Sequence, residues 1–322
     1  MRKILITGVA GFIGYHLASG LLEKGDIEVI GIDNLNNYYD INLKNSRLSN
    51  LNKYTDFSFE KIDITDMATL EKCFTKHKFT HVVNLAAQAG VRYAKENPDA
   101  YVDANVLGFY NIIDMSSKTG VDRFLYASSS SVYGSNTSIP FRESDPTNSP
   151  MSLYAATKIA NEAIASAYFY TNKINTVGLR FFNVYGPWGR PDMAYYKWTD
   201  ALTNGTEIEL RAKGQMWRDM TYIDDVVYAM ISLLDSDFVQ HEPKVLNIGN
   251  QSPVKISDVL DFLTKYTKVN SKIKHFNKGE EEPVKTWADT AALSQLIGYS
   301  PNTDYTVGLE HFLKWHKQYH KR

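Results

Sequence analysis

Three glycines at every third position, Gly8, Gly11 and Gly14, sit between a short apolar run, Lys3–Thr7, and an amphipathic run, Ile13–Lys24. A strand that passes through such a turn into a helix can bring its backbone close to a ligand. The helix N-terminus then offers unpaired N–H groups to an anion such as a pyrophosphate. The spacing is GxxGxxG, not GxGxxG, and by itself it also describes a plain strand-to-helix turn. The next apolar run adds the missing constraint. It ends in Asp33, 19 residues beyond Gly14 and followed by Asn34, about where a carboxylate accepts hydrogen bonds from ribose hydroxyls and would repel a 2′-phosphate. Together these residues point to NAD rather than NADP. Phe12 and Ile13 belong to the same turn. Asp63-Ile64 follows the third run and is placed to meet adenine, although Asp63 reads equally well as a helix cap. Leu85-Ala86-Ala87 closes the fourth run with small residues that leave room for a cofactor backbone.

The rest of the first half keeps the same alternation. Glu28–Asp33, Phe57–Lys61, His81–Leu85, Arg123–Ser128 and Thr176–Phe181 read as buried strands, with helical patterns at Met67–Lys76, Asp103–Thr119 and Leu153–Tyr170. Strands alternating with helices predict an α/β fold, a Rossmann-like doubly wound parallel sheet. After about residue 180 the elements shorten, but Val245–Ile248 again reads as a buried strand. The expected organisation is an NAD-binding domain over 1–180 with a return near 220–250, interleaved with a smaller substrate lobe over 181–322. Apolar residues make up 43% of the 322 and charged residues 22%, an ordinary globular balance. A net charge of -1 gives no basic surplus for nucleic acid. The one cysteine, Cys73, fits a reducing compartment, and no apolar run approaches 18 residues. A soluble cytoplasmic protein is expected. No metal is called for; the acidic run Glu280–Glu282 reads as a solvated turn.

Tyr154 and Lys158 stand four apart in a helical pattern, so both emerge on one face. An ammonium beside a phenol favours the phenolate. Among 21 tyrosines an isolated YxxxK carries little weight, but Ser128–Ser131 ends the fifth strand, where a hydroxyl reaches the same pocket. A hydroxyl, a tyrosine and a lysine beyond a dinucleotide turn make a hydride-transfer constellation.

With these residues in place the chain resembles the extended short-chain dehydrogenase/reductases, and within them the NAD-dependent nucleotide-sugar epimerases, most of all the UDP-glucuronate 4-epimerases. The resemblance runs through TGVAGFIGYHL, NLAAQAGVRYAKENP, YASSSSVYG, SLYAATK, RFFNVYGPWGRPDMA, RDMTYIDD and TWADT. It implies Ser129 as catalytic hydroxyl, Tyr154 as acid/base and Lys158 as its electrostatic partner. The implied reaction inverts C4 of a UDP-sugar through a 4-keto intermediate. Related dehydratases carry Asp-Glu, and related decarboxylases a Glu, where this chain has Ser130 and Ser131, which argues for epimerisation without further chemistry. Ser129–Ser131 and Arg92 favour a uronic acid. Asn183, where glucuronate epimerases usually carry Thr, resembles the enzymes of neutral or N-acetylated sugars. Arg190 and Arg218 match diphosphate-contacting positions, while a further family arginine is absent or replaced by Lys278. Arg2 and Arg47 receive no role. The resemblance also implies a homodimer paired through the helices near 103–119 and 153–170, with Val106, Phe109, Ile113, Ala160, Ile164 and Tyr168 as contact candidates. A non-enzymatic NAD-binding interaction protein is the alternative of another class, and the intact Ser129, Tyr154 and Lys158 argue against it.

Overall fold

The computed structural model of the chain describes residues 2–279 and 283–321; the acidic run Glu280–Glu282 lies outside the described residues. Strands β1 (Arg2–Thr7), β2 (Ile27–Asp33), β3 (Phe57–Lys61), β4 (His81–Asn84), β5 (Arg123–Ser129) and β6 (Thr176–Phe181) join a seventh, Lys244–Ile248, in one sheet. The order is Lys244–Ile248, β6, β5, β4, β1, β2, β3, and every pairing is parallel. The order reverses between β1 and β4, and a ligand crevice opens beyond the carboxyl ends of the strands at such a switch point. Both faces are covered, as the unbroken apolar runs require. Along β1, Ile4 and Ile6 enter the core on one face and Leu5 the core on the other.

Two helices depart from the sequence reading. The run expected at Asp103–Thr119 begins earlier, at Asp99–Val102, passes through a π-helical turn at Asp103–Gly108 and continues as Phe109–Lys118. Packing explains the wide turn. A Cβ on Gly108 would come 2.5 Å from Ile64 Cδ1, and the Asn105 carbonyl accepts a bond from Asn161 Nδ2. The helix Ile41–Leu51, capped by Asp40 accepting from the Asn42 N–H, was not expected. Its inward face carries Lys44 and Arg47 beside Leu43, Leu48 and Leu51, so its apolar signal is weak.

The later strands build two small sheets. One joins Pro253–Lys255, Trp217–Tyr222, Lys285–Thr286 and Asn183–Tyr185; the other pairs Ile208–Arg211 with Ile273–Phe276. Helices Ala194–Asn204, Ile256–Thr267 and Tyr305–Tyr319 pack around them, and Ala291–Ile297 packs on Lys244–Ile248 of the large sheet. The helix Ile223–Asp235 packs on the first helix, Phe12–Lys24. Among the described residues no helix is long and apolar enough to cross a membrane.

Candidate active site

A cleft of about 1130 Å³ runs along the carboxyl ends of the strands, and every residue singled out above for cofactor or sugar lines it, apart from Lys278. At one end lies the glycine turn. Gly8 has φ +68°, a left-handed conformation, and a Cβ there would come 2.8 Å from the Ala86 nitrogen. A Cβ on Gly14 would collide with the Gly8 carbonyl. The turn and the Leu85–Ala87 segment are thus in close contact, held by Thr7 Oγ1, which accepts from the Leu85 and Ala86 N–H groups at 3.1 and 2.9 Å. Asp33, at the end of β2, accepts from Ala10 N (3.2 Å) and Leu35 N (2.8 Å), so its carboxylate is fixed beside the turn. Asp63 caps no helix; Asp66 caps Met67–His77. Burial raises the Asp63 pKa, but bonds from Asn34 and Thr65 outweigh it and hold the carboxyl below its ordinary range. A backbone-lined cradle, a carboxylate at the ribose position and small residues opposite fit a dinucleotide.

The three side chains expected to carry the chemistry, Ser129, Tyr154 and Lys158, come from two elements. Ser129 ends β5, and its hydroxyl accepts from the Ser131 N–H at 3.2 Å. Tyr154 and Lys158 lie on the helix Leu153–Asn172, whose first turn is fixed by Ser152 accepting from Ala155 N. Lys158 is buried, donates to the Ala127 carbonyl at 2.9 Å, and its Nζ stands 5.9 Å from the Tyr154 ring centre. Burial lowers its pKa to about 8. Burial also holds the Tyr154 pKa above that of a free phenol, and a hydrogen bond with Ser129 and the charge of Arg190 offset only part of the rise. Arg190 thus adds a second positive charge to the pocket around the phenol, beside Lys158.

Arg190 was expected at the diphosphate with Arg218. It sits among Tyr154, Tyr38 and Asp192, with Nε and Nη2 donating to the Asp192 carboxylate at 3.1 and 3.0 Å. The loop that delivers it is held by Arg47, the side chain given no role from sequence. Arg47 is fully buried. Its Nη1 donates to the Ala10 carbonyl in the glycine turn at 2.7 Å and to Tyr39 Oη at 2.8 Å. Its Nη2 donates to the carbonyls of Trp188 (2.6 Å) and Gly189 (3.2 Å). One guanidinium thus joins the cofactor turn to the two residues that precede Arg190.

At the far end, Asn183 begins the strand paired with Trp217–Tyr222, opposite Met220. Arg218, on that strand, donates to the Trp217 carbonyl. Lys197 and Arg211 line the same end; sequence reasoning missed both, as it did Lys44, which donates twice to Asn36. Arg92 stands exposed on the loop after β4. Lys278 donates to the Gly279 carbonyl. Asn105, in the π turn, was also missed. It exchanges bonds with the Gln88 backbone and donates to Thr157 Oγ1 at 3.1 Å, joining the loop after β4 to the tyrosine helix.

Comparison with known proteins agrees with this geometry. Residues 4–249 match the NAD dependent epimerase/dehydratase family. The chain belongs to that family. Within the family, it is 42% identical to Protein CapI of Staphylococcus aureus, across 99% of this chain and 100% of that protein. It is also 42% identical to UDP-glucuronate 4-epimerase 2 of Arabidopsis thaliana, across 99% of this chain and 77% of that one. Among solved structures of similar epimerases, the UDP-glucuronic acid 4-epimerase of Bacillus cereus, in complex with UDP-glucuronic acid and NAD, has a TM-score of 0.93 and 31% identity, covering 99% of this chain and 100% of that one. The UDP-glucose 4-epimerase of Thermotoga maritima has a TM-score of 0.89 and 26% identity, covering 99% of both chains.

Proposed function

We propose that this chain is a cytoplasmic, NAD-dependent UDP-glucuronate 4-epimerase, interconverting UDP-glucuronate and UDP-galacturonate. The observation that carries the uronate is the guanidinium of Arg190 beside Tyr154. The base marks where the sugar 4-hydroxyl must lie, and the C5 carboxylate of a uronate is its neighbour. Asp192 takes two of the five N–H donors of Arg190, which leaves donors for a second anion. The relatives named UDP-glucuronate 4-epimerase support the same reading.

Bound NAD supplies an acceptor that takes a hydride from C4 and gives it back. The protein's part is acid–base work and orientation. Tyr154, as phenolate, takes the proton of the 4-hydroxyl as that carbon is oxidised. Ser129, bonded to Tyr154, is placed to donate to the reacting oxygen and share its developing charge. The flat ketone turns about its link to the diphosphate, which Arg218, Lys197 and Arg211 are placed to hold, and presents its other face. Tyr154 then returns the proton and C4 is inverted. Asp33 excludes a 2′-phosphate by repulsion.

Hydrogen bonds to a charged group contribute about 1.5–3 kcal/mol against roughly 1 for neutral ones. A site built for the carboxylate therefore prefers the uronate by about tenfold or more in kcat/KM. UDP-glucuronate, UDP-glucose and UDP-N-acetylglucosamine are compared under one condition, with products separated by chromatography. Faster turnover of a neutral sugar would make Asn183 the better guide and overturn the uronate. No reduced-nicotinamide absorbance with any sugar would favour a binding protein.

The reading includes a homodimer whose apolar face draws on side chains beyond those first expected. Phe109 and Ile113 are buried in the chain's own core, with Ile164 and Tyr168 packed against it. Val102, Leu107, Tyr110, Leu153 and Tyr170 are exposed on the same helices and supply the apolar face. Light scattering at micromolar concentration is expected to give twice the chain mass; a monomer would refute the pairing.

A further inference from the structure

The last helix, Tyr305–Tyr319, carries His316 in its final turn and is capped by His320. Four residues apart, they share a face, and their ring centres lie 4.4 Å from each other. Asp200, on the helix Ala194–Asn204, meets them from across the interface, its Oδ1 2.8 Å from His316 Nε2. One imidazole nitrogen from each histidine and one Asp200 oxygen all lie within 4.8 Å of one another. We propose that Asp200, His316 and His320 form a binding site for a divalent cation of the zinc class, which clamps the last helix to the helix Ala194–Asn204.

The donor set selects the ion. Two imidazoles and one carboxylate suit zinc, with nickel and copper as chemical neighbours, whereas calcium and magnesium take oxygen ligands. Bonds of about 2.0–2.2 Å in a tetrahedron place ligand atoms roughly 3.3 Å apart. His316 and Asp200 must open slightly from 2.8 Å, and the third donor closes by at most about 1.5 Å, within the reach of side-chain rotation. His316 is buried, which fixes its ring, while Asp200 is partly open to solvent and gives an ion its entry. The site lies at a helix C-terminus, where the backbone carbonyls favour positive charge. Tyr196 Oη lies 3.2 Å from His320 Nε2, near enough to support a metal-bound water in the fourth position. The other three-donor cluster, Glu60, Cys73 and His77, already holds a cation: Lys76 Nζ lies 2.7 Å from the same Glu60 oxygen that His77 contacts.

The cation would also bear on the active site. Lys197, one turn before Asp200 on the same helix, lines the substrate cleft. The test uses full-length, tag-free protein with its dinucleotide, stripped by chelator and dialysed. Zn²⁺ is titrated by calorimetry and Co²⁺ by visible absorption. One saturable cation per chain is expected. Asp200→Asn and His320→Gln should each weaken it at least tenfold, and both keep the buried His316 ring and its packing. A hundredfold excess of Zn²⁺ over Kd should raise Tm by roughly 4 °C in the wild type and not in the double variant. Absence of saturable binding would overturn the site. So would binding that both substitutions leave unchanged, or that Glu60→Gln abolishes instead.

Discussion

Replacing Arg47 by Met tests whether one buried guanidinium couples the cofactor turn to the substrate loop. Met keeps an apolar stem of similar reach and removes the donors to Ala10, Tyr39, Trp188 and Gly189. Three of the four acceptors are backbone carbonyls, held at 2.6–3.2 Å by a side chain with no solvent exposure. A buried acceptor left without a donor costs about 1–3 kcal/mol. The three share one donor group, so their costs do not add in full, and a total of about 3–5 kcal/mol is expected. That is a large share of a typical folding free energy of about 5–15 kcal/mol. Urea denaturation followed by far-ultraviolet circular dichroism reads it as a lower midpoint at an unchanged slope. Arg190 follows directly on the released loop, so kcat/KM for UDP-glucuronate should fall by more than tenfold even at temperatures where the variant stays folded. Arg47→Lys should recover part of the stability, because one ammonium keeps the charge but lacks the planar fork that reaches both loops. A loss below about 1 kcal/mol together with near wild-type kcat/KM would refute the coupling.

Tyr154→Phe is expected to lower turnover by about 10²–10⁴-fold, the usual contribution of a positioned acid–base group, with dinucleotide content unchanged by mass spectrometry of the denatured protein; a loss within tenfold would remove Tyr154 from that role. Ser129→Ala deletes a hydrogen bond that lowers the Tyr154 pKa. The phenolate then forms only at higher pH, so the rising limb of kcat/KM against pH should move to the alkaline side, and a limb that stays or moves to lower pH would contradict the assignment.

What could be read in the sequence follows from where each signal resides. β6 is buried throughout and β3, at the sheet edge, alternates Phe with polar residues; both match their predicted limits, and the other strands of the large sheet differ by one residue. The glycine turn, Asp33 and the Tyr154–Lys158 pair are local patterns and lie where their spacing placed them. Arg47 could not be read this way. Three of its four partners lie 37 to 142 positions away, and it sits on a helix whose inward face mixes charge with leucine. The direction of the Tyr154 shift was missed for a similar reason, since helical spacing brings Lys158 near the phenol but says nothing of the burial that raises its pKa. The π turn depends on Gly108 meeting Ile64, a tertiary fit that no helical period reports.

The seventh strand carries a consequence for synthesis. Lys244–Ile248 completes the sheet beside β6, and Asp235, at the end of the helix packed on Phe12–Lys24, ion-pairs with Arg2 and Lys24 at the other end of the sequence. After β6 ends at Phe181, the 67 residues from Phe182 through Ile248 have still to be made. At about 5–20 residues per second a ribosome needs roughly 3–13 s to make them. Through that interval the nascent chain holds β6 as an open edge with unpaired backbone groups, the feature that invites pairing with a neighbouring chain. A truncation before Lys244 should therefore aggregate, whereas the full chain covers that edge with its own late strand.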